Sequence, residues 1–333
     1  MRRILILVFI ALNSGASQAQ DVIFSQNFLV PETLNTSFTG AIRSTKVGSI
    51  HKSQWRNSNF KTNSNFVFFD TWFEGYKTGI GISFLNQNEN ISSYTFNQAN
   101  LNIAMRFQLS DTWFFRPSIS TGFGMKSFGF QSILLEDQIN INNNTVNTGS
   151  IDPTLFGQKR NFFDFSSSLL FNNDESWFGL TFRHLNKPNI SFTQNENVPL
   201  DIFISVHAKY YLPFVENIRS WMASKSKLYL LSNFMMQANI NRFDAGLQYT
   251  FDDRFSLGAT IATSPIKNNN NPNLVNSVSA FLSIKWEGFR FGYSYDINTT
   301  DLFNTGGIHE FSISYDFDIN IRLLDRYKCV PYF

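Results

Sequence analysis

Apolar and polar side chains alternate with a period of two along residues 98–109. Ala99, Leu101, Ile103, Met105, Phe107 and Leu109 fall on one face, and Gln98, Asn100, Asn102, Ala104, Arg106 and Gln108 on the other. This length matches a membrane-crossing strand of about 9–11 residues. A one-residue slip would turn Arg106 toward the apolar side, so the register is strongly specified. The same alternation recurs over 113–125, 242–251, 289–297 and 310–317, and in weaker form near 46–55, 64–73, 77–85, 162–171, 176–184, 202–211, 227–237, 254–262 and 276–286. The pattern predicts an all-β fold: a transmembrane antiparallel up-and-down β-barrel of about 14 strands, an even number as in bacterial outer-membrane barrels.

The connections alternate in length. Short turns are predicted at 74–76, 110–112, 172–175, 252–253 and 287–288, and longer Asn-rich loops near 86–97, 127–161, 185–201, 263–275 and 298–308. Short turns face the periplasm and long loops the exterior in such barrels, which places both termini on the periplasmic side. The connection 212–226 breaks the rule: it is long yet predicted to be periplasmic. A secreted β-sandwich would also alternate, but its strands average about 5–6 residues. Here Trp113, Trp177 and Trp286 stand near strand ends, as an interfacial girdle would.

Composition agrees with a barrel. The chain carries 38 Phe, 11 Tyr and 6 Trp, and its charged fraction is 16%, against about 25% in soluble proteins. A net charge of +2 gives no reason to expect nucleic acid. The N-terminus reads as a signal peptide over 1–19, with Arg2 and Arg3, an apolar run from Ile4 to Leu12, and Ser17-Gln18-Ala19 at the cleavage site. The predicted division is then a periplasmic N-terminal segment (20–45), the barrel (46–317) and a periplasmic tail (318–333), in a multi-pass protein of the cell outer membrane. The lone Cys329 excludes an internal disulfide.

Candidate chemistry is sparse. His51, His184, His207 and His309 do not pair at metal-ligand spacing, and there is no nucleophile elbow or phosphate loop. No catalytic residue, metal or cofactor is expected. A lumen serine such as Ser205 or Ser279 beside a histidine would suit a lipid hydrolase, but serine fills most of the polar faces. Arg106, Arg116, Lys126, Lys209, Lys285 and Arg290 fall on predicted inward faces. Either they form a cationic lumen that passes anions, or they pair with Asp164, Asp244, Asp296 and Glu310 and fill it. A barrel this wide needs filling or a plug unless it is a channel.

Several segments together resemble the PorP/SprF family of the Bacteroidota type IX secretion system. Asp21-Val22-Ile23-Phe24-Ser25-Gln26 is similar to that family's D-P-x-F-S-Q opening. Leu34-Asn35-Thr36-Ser37-Phe38-Thr39-Gly40 resembles its L-N-P-A-x-x-G, and Ser53-Gln54-Trp55-Arg56 its Q-W segment. Gly79-Ile80-Gly81-Ile82-Ser83-Phe84 resembles its G-x-G-x-S-F strand, and the stretch from His184 to Phe192 its H-L-x-x-P-x-x-S-F. Tyr293-Ser294-Tyr295-Asp296 and the run from Gly306 to Ser312 resemble its closing Y-S-Y-D and G-x-H-E strands. Val22 and Thr36 replace the family's prolines, and Val330 interrupts a C-P-x-F-like ending.

The resemblance implies a non-enzymatic component of type IX secretion and gliding motility. One branch assists secretion and surface anchoring of a large adhesin by binding its C-terminal domain. The other couples to the periplasmic secretion ring. Adhesin binding would use the external loops or the lumen, with Tyr94, Phe96, Phe128, Phe130 and Phe192 as candidates, since aromatics bury much area for little entropy. The alternative for these residues is that they pack on one another. Periplasmic contact would use Phe24, Gln26, Phe214, Trp221, Tyr332 and Phe333. A third reading is an outer-membrane channel for small hydrophobic or sugar substrates. Outer-membrane lipid surrounds the barrel in each case.

Overall fold

The alternating segments pair into one closed antiparallel sheet. The computed structural model describes residues 21–58, 61–129, 138–140, 143, 145–147, 159–192, 196–213, 226–265, 275–299 and 305–317. The strands are β1 (Thr45–Gln54), β2 (Thr62–Phe73), β3 (Thr78–Glu89), β4 (Thr95–Met105), β5 (Phe114–Ser127), β6 (Lys159–Asn172) and β7 (Trp177–Arg183). They continue with β8 (Phe203–Tyr211), β9 (Ser226–Gln237), β10 (Ile240–Phe251), β11 (Phe255–Thr263), β12 (Val275–Trp286), β13 (Phe289–Asn298) and β14 (Ile308–Phe317). The two-residue stretch Phe107–Gln108 carries the line of β4 further along β5. Each strand pairs with its sequence neighbours, and β1 pairs with β14, from Thr45 opposite Phe317 to Gln54 opposite Ile308. The sheet is therefore a 14-stranded barrel without free edges, in which every strand finds a hydrogen-bonding neighbour on both sides, as the hydrocarbon core demands.

The alternation lies as expected. On β4, Leu101, Met105 and, just beyond it, Phe107 are exposed on the outer wall, while Gln98, Asn102 and Ala104 are buried toward the lumen. Trp113 stacks on Phe178 at 6.1 Å and Trp286 is exposed, both near the short-turn end. Trp177 departs from the predicted girdle. It opens β7 on the inward parity and is only 1% exposed, packed between Phe28 and Phe38.

Two connections differ from expectation. Most of the predicted loop 86–97 is ladder, because β3 and β4 keep pairing up to Asn88 opposite Thr95, leaving a turn at 90–94. At the same end, β9 and β10 are joined by residues 238–239 alone, a second exception to the length rule beside the long connection before β9. The connection 128–158 holds a small hairpin of Ile139–Asn140 with Thr145–Val146. Most of 212–226, including Phe214 and Trp221, and the tail with Tyr332 and Phe333 lie outside the described residues, as does Phe130.

The largest difference concerns residues 21–44. They do not form a periplasmic segment but run inside the barrel, almost wholly buried. A sheet of this many strands, spaced about 4.8 Å apart and tilted about 40°, closes at a backbone diameter of about 28 Å. Side chains reaching about 5 Å from each wall leave roughly 18 Å, too wide for the wall to fill alone. The apolar core of the molecule sits in this space. Phe24, Phe28, Leu29, Val30 and Phe38 of the segment pack against Phe66, Phe68, Leu170, Trp177, Tyr229 and Leu231 of the wall. This explains the run Phe66-Val67-Phe68-Phe69, where one parity faces lipid and the other faces the plug.

Candidate functional site: the latched plug

The plug starts at the long-loop mouth and leaves at the short-turn end. Asp21 stands among residues from the external ends of β7 and β9, whereas Arg43 pairs with Glu74 in the β2–β3 turn. The first residues of the segment are thus at the mouth opposite to the one expected. Between these ends, short 3-10 turns at Pro31–Thr33 and Thr36–Phe38 fold the segment back and forth. Asn35 caps the second turn by accepting from the Ser37 amide, a local bond that shields one otherwise unpaired N–H.

Three latches hold the plug. At the external mouth, the Asp21 carboxylate meets His184 Nε2 at 2.8 Å, while His184 Nδ1 meets Asp164 at 2.9 Å. Gln237 Oε1 accepts from the Asp21 amide at 2.9 Å, and Gln98 donates to Asp164 at 2.9 Å. Burial favours the neutral imidazole, but the carboxylates of Asp21 and Asp164 outweigh it and raise His184 to about 9. Burial likewise opposes ionisation of Asp21, yet the charges of His184 and Arg183 hold its carboxyl well below the usual range.

At mid-height, Glu310 accepts the backbone amides of Ser25 and Gln26 at 2.9 and 3.0 Å. The Ser25 hydroxyl donates to Asp296, Gln26 Nε2 donates to the Glu310 carbonyl, and Ser312 donates to Gln26 Oε1 at 2.6 Å. Lys52 Nζ stands 3.9 Å from Glu310 and also donates to the Ile23 carbonyl. On the opposite wall, Arg116 donates to the carbonyls of Ser37 and Thr39 at 3.2 and 3.1 Å.

Near the periplasmic end the plug touches the wall backbone. A Cβ on Gly79 would lie 2.2 Å from the Thr39 carbonyl oxygen, and one on Gly40, whose φ is +64°, would lie 2.7 Å from the Gly79 Cα. Only glycine allows that approach. The motif segments far apart in the chain thus meet in the lumen: Asp21 with His184, Ser25 with Asp296, Gln26 with Glu310, and Gly40 with Gly79.

The predicted lumen charges Arg106, Arg116, Lys126, Asp244, Arg290, Asp296 and Glu310 are all buried inside the barrel. They fill it rather than line a cationic passage. Arg242 pairs with Asp244 at 2.7 Å, and Arg290 stands 3.9 Å from Asp316. Arg106 lies over the Phe114 ring at 3.8 Å and Lys126 over Phe96 at 5.5 Å, so cation–π contacts supplement ion pairs in the filled lumen.

Phe24 and Gln26 face the lumen wall, not the periplasm. Phe96 is buried on β4 and stacks on Phe162 at 6.3 Å, and Ile190 and Leu200 of the connection 184–202 close over that pair. Tyr94, Phe128 and Phe192 pack on one another, with both centroid distances to Phe128 at 5.0 Å. These aromatics order the external mouth and fold the 184–202 connection into it. The sequence placed neither His184 nor Gln237 at a site, because a lone histidine or glutamine at a strand end has no periodic signature.

Ser205 does stand beside a histidine, with its Oγ 2.9 Å from His207 Nδ1. The protons run the wrong way for a nucleophile. Asn35, its orientation set by accepting from the Ser37 amide, donates to His207 Nε2, which leaves the ring proton on Nδ1 to donate to Ser205. The Ser205 hydroxyl donates in turn to Asn233, so the imidazole cannot take its proton. The cavity left between the plug and the wall of β3–β7 is about 70 Å³, lined by Gln98, Lys126, Asp164 and Arg183 among others. It admits a few waters, whereas small-molecule sites span about 300–1,000 Å³. Among the described residues no group of His, Cys, Asp and Glu could hold a metal.

The mouth latch should depend on pH. The raised His184 contributes stability that is fully present below about 6.5 and is lost as pH rises through about 9. The depressed Asp21 contributes above its ordinary 3.8 and is lost as pH falls through its lower folded value. The melting temperature of the folded barrel should therefore drop between pH 6.5 and 9, and His184→Gln should flatten that limb. An unchanged slope in the variant would remove His184 as its source.

Solved barrels of similar shape include the CymD monoaromatic hydrocarbon channel, at 11% identity and a TM-score of 0.49, covering 92% of this chain and 97% of that one. The Pseudomonas putida toluene transporter TodX is 8% identical with a TM-score of 0.45, covering 90% and 95%. Omp33 of Acinetobacter baumannii is 7% identical with a TM-score of 0.45, covering 84% and 100%. Among curated proteins none matches. The model of one family does match, over residues 16–315, a span that takes in both the plug and every strand that latches it. The chain accordingly belongs to the type IX secretion system membrane protein family PorP/SprF.

Proposed function

We propose that this barrel is a non-enzymatic outer-membrane component of type IX secretion that assists export of a large adhesin and holds its C-terminal domain at the cell surface. One observation carries this reading: residues 21–44 occupy the lumen. A filled lumen speaks against a channel for hydrophobic or sugar substrates. It also withdraws Phe24 and Gln26 from the periplasmic face, where coupling to the secretion ring would need them. The external mouth, where Tyr94, Phe128 and Phe192 pack on one another, remains a surface for a partner. Deleting the gene should remove one large adhesin from the cell surface while bulk secretion continues. Purification of the tagged protein from native outer membrane should recover that adhesin's C-terminal domain. Recovery of periplasmic ring components alone would replace this reading with the coupling role.

A further inference from the structure

On the outer wall, above the lipid-facing rows, stands a row of amides. His51, Asn65, Asn86 and Asn97 are directly opposite one another on β1, β2, β3 and β4. Their side chains are linked: His51 Nδ1 to Asn65 Oδ1 at 2.7 Å, Asn65 Nδ2 to Asn86 Oδ1 at 3.3 Å, and Asn86 Nδ2 to Asn97 Oδ1 at 2.8 Å. Asn88, one step up β3, also donates to Asn86 Oδ1 at 2.8 Å. The His51 link uses an imidazole N–H, while each Asn–Asn link uses one hydrogen of a two-hydrogen amide, so the second can meet an outside acceptor. The row contains no lysine or arginine. Such a surface suits hydroxyls and ring oxygens, not phosphate, for which charged donors are the usual choice.

One pleat toward the membrane, about 6.8 Å lower, the same strands turn apolar. Val67, Phe84, Ala99 and Phe123 stand opposite one another there, and Phe69, Ile82 and Leu101 form the next row. Ala99 is the small member between Phe84 and Phe123, and it leaves a groove of about 560 Å³ on the wall. The groove is nearly all hydrocarbon and opens on the lipid side. A polar shelf that fits hydroxyls thus sits directly over a trough that fits an alkyl chain, on one rigid sheet at the external edge of the apolar band.

We propose that this wall of β1–β5 is a binding site for an outer-leaflet glycolipid, its saccharide head on the amide row and one acyl chain in the groove beside Ala99. The occupant is inferred from the vertical order of the two surfaces. Ordinary phospholipid would use the groove but not the shelf, and a free sugar the shelf but not the groove.

The test is native mass spectrometry of the detergent-solubilised full-length barrel, titrated with a dephosphorylated diglucosamine acyl glycolipid or with phosphatidylethanolamine of matched chains. The wild-type barrel should retain one glycolipid at least about tenfold more tightly than the phospholipid. The Asn65→Leu, Asn86→Leu double variant should lose that preference, and Ala99→Phe, which fills the groove with an apolar side chain suited to lipid, should lose retention of both. Folding of each variant is verified by its heat-sensitive migration on an unboiled gel, and Ala99→Phe alone decides the matter if the amide variant does not fold. Equal retention of the two lipids by wild type, retention of neither, or wild-type behaviour of the folded variants would overturn the site.

Discussion

Removal of residues 21–44, with the signal peptide joined directly to β1, is expected to convert a silent barrel into a conducting one. The plug contributes much of the apolar core and holds back water across a lumen that would otherwise be roughly 18 Å wide. The strands need no residue of the plug for their own ladder, since β1 pairs with β2 and β14 along its whole length. The truncated chain should therefore still insert and close, with lower thermal stability. In a planar bilayer the full protein should carry no steady current, and the truncated one should give discrete, long-lived steps. Conductance of the intact protein at the same level would mean that the plug does not seal, and would return the channel reading to first place.

The second large effect is expected at Glu310. Its side chain is fully buried and receives two plug amides, and Lys52 stands beside it. Glu310→Ala leaves those two amides without their acceptor and removes the charge beside Lys52 in a buried site. Breaking a buried charged contact of this kind costs about 3–5 kcal/mol. Part of that loss falls on the barrel and part on the plug, because the backbone amides of Ser25 and Gln26 are held from this one side chain. The variant should melt at lower temperature, show intermittent conductance, and expose the N-terminal segment to protease added from outside. Glu310→Gln keeps an acceptor oxygen and should lie between the two. If Glu310→Ala melts like wild type with its segment protected, the glutamate is not a latch, and the remaining contacts of Arg116 and Asp21 suffice.

Much of the barrel was legible in the chain because its signal is local. Alternation at period two depends only on which side of a strand meets lipid, and from Ala99 to Leu109 every residue but Ala104 declares its side by its own chemistry. The 14 strands, the short turns at 74–76, 252–253 and 287–288, and the inward parity of Arg116, Asp244 and Glu310 could all be read this way. Trp177 misled for the same reason: an aromatic near a strand end suits the interface, but its parity turned it inward, and the plug gave it an apolar surface to meet.

The candidate site was much less legible. Asp21 and His184 are 163 positions apart, and Ser25 and Glu310 are 285 apart. No periodicity or spacing links residues at such separations. The segment 21–44 has no alternation of its own and reads as an ordinary polar and aromatic leader. The motif resemblance marked Asp21 and His184, and Ser25 and Gln26 with Asp296 and Glu310, without saying that they meet. By itself, the sequence determined a closed, lipid-facing sheet of about this many strands, since burial in hydrocarbon constrains each side chain one at a time. The tertiary structure alone decided what fills that sheet, because a lumen exists only once β1 has found β14, and only then can a buried glutamate choose the amides it will hold.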